Sequence, residues 1–291
     1  EKWYSRPAME VFGVAVTREL LGYLLIALAT IVILQSLFGG SSAWGKSNKQ
    51  EKQEGEEEEE PPRDFTPAQL LRFNGVPSGD GGLLAQDGEK IYVAVKGDVY
   101  DVTKAAMFYG PEGPYHVFAG HEITRCLARG TFQEDLDRGD VEDCSHAEID
   151  DLENWVTKYK HIKRYPIAGR LVHPPESRSM TMEELSGFTG RTQPPKGRVN
   201  PPMYIGIKGQ VLDVSFGGYD MYKPGAPYNI LLGKDSSRAL AKVSLDEKDV
   251  ASRDISDLTA SQIKVLDDWA DKFKNKKLYP IVGTYPFPGS S

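Results

Sequence analysis

Phe108-Tyr109-Gly110-Pro111-Glu112-Gly113-Pro114-Tyr115, continuing as His116-Val117-Phe118-Ala119-Gly120, is the stretch on which the reading of this chain turns. Two glycines and two prolines within residues 110–114 exclude a helix, so the segment must be a loop. It carries two phenols, Tyr109 and Tyr115. A tyrosine in such a loop usually packs or caps a turn, so spacing alone makes neither one a ligand.

Working outward, Ile91 to Val95 and Asp98 to Val102 alternate around a Lys-Gly turn and predict a β-hairpin. Further upstream, Thr66 as N-cap and Pro67 at the first helical position open a short helix. Downstream, short helices are expected from about 123 and a longer one near 147–160, with Tyr165-Pro166-Ile167 beginning a last strand. Most of this recurs. Tyr92 to Gly97 matches Tyr204 to Gly209, Tyr109 and Tyr115 match Tyr222 and Tyr228, Arg125 matches Arg238, Trp155 matches Trp269, and Tyr165-Pro166 matches Tyr279-Pro280. The offset stays between 112 and 114, which predicts a tandem duplication. The second copy has Thr181 as a cap, a hairpin over 204–214, a short helix from about 236 and a helix over 259–274 with Thr259 as cap. Each copy reads as an α+β unit in which short helices surround a pocket on a sheet.

The chain has 291 residues and a net charge of −7. Seven Glu against one Lys in 51–60 account for −6 of that, so no basic surface for nucleic acid is expected. Leu20 to Phe38 carries no charge and would span about 28 Å as a helix, enough to cross a bilayer. A buried core helix or a cleaved signal peptide is the alternative. Three cationic residues on each side leave the orientation undecided. The expected organisation is an N-terminal segment 1–19, a transmembrane helix 20–38, an acidic linker 39–62, and two domains, 63–175 and 176–291. Cys126 and Cys144 lack CxxC spacing and read as idle thiols.

With Asp64-Phe65-Thr66-Pro67 and Gly97-Asp98-Val99-Tyr100-Asp101 before it, the 108–120 stretch closely resembles the membrane-associated progesterone receptor family. That resemblance implies two cytochrome b5-like domains, the second divergent. It implies haem held by one tyrosinate, mapping to Tyr115, with Tyr109, Arg164 and Tyr165 at the propionates. Arg164 stands where the family has Lys. In the second copy the matching residues are Tyr228, Tyr222, Lys277 and Tyr279, but the Gly after the first tyrosine and the motif Glu are lost. His116 and His121 would suggest histidine ligation, yet adjacent residues rarely point the same way.

No catalytic constellation stands out, so the chain is not expected to be an enzyme. The leading expectation is a membrane-anchored, haem-binding adaptor for membrane enzymes. Its partners would be the lipid bilayer and other membrane proteins, with no nucleic acid. The expected location is single-pass, in the mitochondrial inner membrane or the endoplasmic reticulum. Two alternatives are an accessory subunit of a large membrane complex, such as a respiratory complex, and a module binding a steroid or other apolar ligand.

Overall fold

The computed structural model describes residues 61–76 and 90–287, together with the backbone of 9–11 and 14–16. The chain divides into two compact units, 1–57 and 58–291. In the first, Met9–Val11 (β1) and Val14–Val16 (β2) pair antiparallel.

The second unit contains two four-stranded sheets. One is built from Arg63–Phe65 (β3), Tyr92–Val95 (β4), Asp98–Asp101 (β5) and Ile167–Leu171 (β6), in the order β3-β6-β5-β4. Lys96 and Gly97 both take positive φ, 52° and 78°, which is the two-residue turn whose twist suits a hairpin. β6 runs antiparallel to β5 and parallel to β3. At Gly169 a β-carbon would collide with the backbone of Arg63, so glycine is what lets β3 lie alongside β6. The β4 side chains divide by parity. Tyr92 and Ala94 enter a cluster with Phe65, Leu70, Phe73 and Val99, while Val93 and Val95 enter the one beneath the helices. Both faces of the sheet are therefore buried.

Four helices accompany this sheet. Pro67–Leu70 (α1) begins with a capping box in which Thr66 and Gln69 bond each other's backbone. Ala106–Tyr109 (α2), Thr124–Arg129 (α3) and His146–Thr157 (α4) follow. Within α4, Glu148 closes the capping box of Ser145, while Glu153 pairs with Lys96. After Thr157 the helix widens into a π-turn, Lys158–Ile162, and Tyr159 within it lies in the core, two turns beyond the buried Leu152.

The other sheet comprises Arg178–Ser179 (β7), Tyr204–Ile207 (β8), Gln210–Asp213 (β9) and Ile281–Thr284 (β10), in the order β7-β10-β9-β8. Met182–Ser186 (α5), Ser215–Tyr222 (α6), Ser237–Lys242 (α7), Glu247–Ala251 (α8) and Ala260–Asp271 (α9) surround it. α9 also ends in a π-turn, Lys272–Lys276.

The halves are joined through polar groups that would be costly to leave bare. Asp64 is fully buried and accepts from Arg198 Nε (3.2 Å) and from the backbone N–H groups of Val199 (2.7 Å) and Asn200 (3.1 Å). Arg198 also donates to Asp213, itself fully buried, and to Ser215. Gln69 Nε2 donates to the carbonyls of Phe216 and Lys277, and Arg72 to those of Asn275 and Lys276.

The expected architecture of two tandem domains behind a transmembrane helix is thereby corrected. The two sheets lie in one compact unit, 58–291. Among the described residues, no helix is long and apolar enough to cross a membrane. The segment 20–38 and most of the linker 39–62 fall outside the described residues. The single-pass location in the mitochondrial inner membrane or endoplasmic reticulum is accordingly withdrawn.

Candidate functional site

The loop between α2 and α3 presents Tyr115. Its tight path needs glycine, because a side chain at Gly113 would strike the Phe108 carbonyl, and one at Gly110 would strike that of Ala106. Tyr115 N–H donates to the Phe108 carbonyl (2.8 Å), closing the loop. The phenol ring then lies half-buried among aromatics: Phe108, Phe118 and Phe132 have ring centroids 6.4, 6.0 and 6.5 Å away.

Tyr109 is buried at the end of α2, with its ring centroid 5.9 Å from that of Tyr115. Its hydroxyl shares a 2.6 Å hydrogen bond with the Tyr159 hydroxyl. Tyr165 packs edge-on against Tyr159 at 5.3 Å, and its N–H donates to the Tyr159 carbonyl. Four phenols thus gather in one aromatic cluster. Burial pushes all four above the usual tyrosine range; for Tyr109 the hydrogen bond from Tyr159 partly offsets that rise. Arg164, exposed and at a φ of 50°, precedes Tyr165 at the rim.

Tyr109, Tyr115 and Tyr165, which the family resemblance singled out, lie in this cluster. Tyr159, which joins them, escapes sequence reasoning. A signal was nonetheless present: Tyr159 follows the buried Leu152 by seven residues, two turns of helix, so both share one face, as Leu266 and Phe273 do in the second half. His121 Nδ1 lies 2.9 Å from Asp137, whereas His116 Nδ1 is buried without a hydrogen-bond partner.

The second half keeps part of this pattern. Tyr222 and Tyr228 have ring centroids 5.9 Å apart, tilted by 45° against 43° for Tyr109 and Tyr115. Tyr279 is buried and sits 5.6 Å from Phe273. Phe273 occupies the place of Tyr159, so the phenol–phenol hydrogen bond has no counterpart. Tyr228 is more open, at 37% exposure. The Lys277 carbonyl is engaged by Gln69 of the first half, and Leu278 takes the position of Arg164 with the same left-handed backbone.

A mixed sheet roofed by short helices, with a phenol-rich aromatic cluster beneath them, defines an α+β module. The family model described as cytochrome b5-like heme/steroid binding domain matches residues 82–171. The cytochrome P450 regulator dap1 of Schizosaccharomyces pombe is 34% identical over 144 residues, covering 47% of this chain and 80% of that protein. The probable steroid-binding protein 3 of Arabidopsis thaliana is 42% identical over 103 residues, covering 35% of this chain and 93% of that protein. The human membrane-associated progesterone receptor component 2 is 32% identical over 127 residues, covering 42% of this chain and 51% of that protein. This chain belongs to the cytochrome b5-like haem/steroid-binding family. The matched residues lie in the first half, so the match does not extend to the second cytochrome b5-like copy expected over 176–291.

Proposed function

We propose that the first half binds haem through Tyr115 and that the chain serves as a haem-binding adaptor for haem-thiolate monooxygenases. The observation that carries this is the phenol cluster around Tyr115. A half-buried phenol stands on a glycine-forced loop, faced by flat aromatic side chains and by three further phenols. The donor set fits the group. Tyr115 would supply a hard anionic oxygen, while Tyr109, Arg164 and Tyr165 would bond the propionates. A haem so ligated favours the ferric state and a low potential, which suits binding, sensing or delivery better than routine electron transfer. The adaptor role draws on the printed name of the yeast relative, a cytochrome P450 regulator.

In the second half, Phe273 removes the phenol partner and Leu278 the rim cation, so Tyr222, Tyr228, Lys277 and Tyr279 are not proposed to hold a second haem. The test is reconstitution of the full chain with haem, followed by absorption spectroscopy and haem quantification. One haem per chain, with a Soret band abolished or shifted by Tyr115→Phe, is expected. A band that survives Tyr115→Phe unchanged would sink the assignment.

A second reading is an apolar ligand such as a steroid in the same cleft, favoured by the wall of Phe108, Phe118 and Phe132 and by the name of the Arabidopsis relative. A labelled sterol displaced by haem would support a shared cleft. A sterol that binds normally to the haem-loaded chain would exclude one.

A further inference from the structure

The hydroxyls of Tyr109 and Tyr159 share a single hydrogen bond of 2.6 Å, and the two residues are only 6% and 2% exposed. Each phenol carries one hydrogen. One shared bond therefore leaves one O–H over, and among the described residues no acceptor meets it. A buried donor without an acceptor is costly, and native proteins keep few of them.

The direction of the shared bond follows from where the two phenols stand. Tyr159 is enclosed: its ring meets those of Tyr100 and Tyr165 edge-on, at 5.2 and 5.3 Å. Tyr109 is the one beside Tyr115, with ring centroids 5.9 Å apart. The spare hydrogen reaches a ligand at Tyr115 only if it sits on Tyr109, with Tyr159 donating to Tyr109 from behind. The acidities agree with that direction. Burial raises both phenols, while the bond between them lowers Tyr109 and raises Tyr159, as expected when Tyr159 donates and Tyr109 accepts.

We infer that Tyr159 is a positioning residue, which by donating to Tyr109 holds the Tyr109 hydrogen ready for a carboxylate of the bound ligand. The inference rests on the haem reading above, in which that carboxylate is a propionate. Hydrogen bonds in series polarise one another, and the last one, to an anion, is charge-assisted. In the second half Phe273 stands where Tyr159 does, so Tyr222 has no phenol donating to it from that position.

The test is titration of the full chain with ferric haem and with its dimethyl ester, followed at the Soret band. The wild type should prefer haem by about tenfold or more. Tyr159→Phe should weaken haem about fivefold and the ester less than about twofold, with the Soret position unchanged because Tyr115 is intact. Tyr109→Phe should lower the preference further, and adding Tyr159→Phe to it should change nothing more, since Tyr159 acts through Tyr109. The ratio of the two affinities is the readout, because a loss of folded chain weakens both ligands alike. Equal weakening of both ligands by Tyr159→Phe, a preference that survives Tyr109→Phe, or a further fall in the double variant would overturn the inference while the haem reading stands. No Soret band, or one that Tyr115→Phe leaves unchanged, would overturn both.

Discussion

Replacing Arg198 by alanine removes the cation that bridges two fully buried carboxylates, Asp64 and Asp213. Breaking a buried ion pair by deleting one partner costs about 3–5 kcal/mol, because the remaining charge stays buried. The low end applies here. Asp64 keeps the N–H groups of Val199 and Asn200, and Asp213 keeps donors from Met203 and Ser215. A loss of about 3 kcal/mol in a unit of this size lowers Tm by roughly 6–12 °C. The pH dependence gives the cause away. Burial raises the Asp213 carboxyl above its ordinary value and Arg198 pulls it down, so removing Arg198 raises it further. A carboxyl raised in the fold has no effect at low pH, weighs against the native state as the pH climbs past its unfolded value, and exerts its full penalty above the folded value. The penalty should therefore be largest near pH 7 and shrink as the pH falls toward the carboxylate range of about 4. Urea unfolding of the wild type and Arg198→Ala at pH 7 and pH 4.5 measures both terms. Replacing all three charges, with Asp64→Asn, Arg198→Met and Asp213→Asn together, should recover most of the loss. A gap under about 1 kcal/mol at pH 7, or an equal gap at both pH values, would refute the bridge as the joint between the halves.

Other consequences are equally measurable. Tyr159→Phe copies the second half into the first, leaves the buried Tyr109 hydroxyl without its partner, and should cost about 1–3 kcal/mol in denaturant unfolding. Gly169→Ala pushes a methyl into the Arg63 backbone and should cost about 3 kcal/mol or more, whereas Gly130→Ala, left-handed but open, should cost only about 1 kcal/mol. If the Tyr115 phenol must lose a proton to bind haem, affinity should rise about tenfold per pH unit between pH 6 and 8, since burial holds the free phenol protonated there; a flat profile would argue for another ligand. The hydrogen bond from Arg238 lowers the Asp257 carboxyl to about 2, so its stabilisation holds above the ordinary carboxylate range and fades as the pH falls toward 2. In Arg238→Gln that acid-dependent loss should flatten.

Local signals made much of the fold legible. Thr66, Thr181 and Thr259, read as caps, do cap helices through reciprocal boxes with a residue three further on, a pattern that depends on neighbours in the chain; Ser145 caps α4 the same way and was not foreseen. Both Lys-Gly hairpin turns lie where alternation placed them, and the Gly/Pro runs form loops. The parallel strands β3 and β7 did not show themselves. They are two or three residues long, and what pairs them, β6 and β10, lies about a hundred residues away. Of the phenol cluster, Tyr109, Tyr115 and Tyr165 were singled out by the loop and its resemblance to a family.

The sequence by itself determined the hairpins, the caps, the glycine loop and the repeating phenols, because each depends on residues within one or two turns of chain. The tertiary structure alone decided that the Tyr159 hydroxyl would meet that of Tyr109, since the two stand on separate elements that only packing brings together. It alone decided that the halves would close on Asp64 as one unit. Residues 64, 198 and 213 become neighbours only when burial removes water from their charges and leaves them one another as partners.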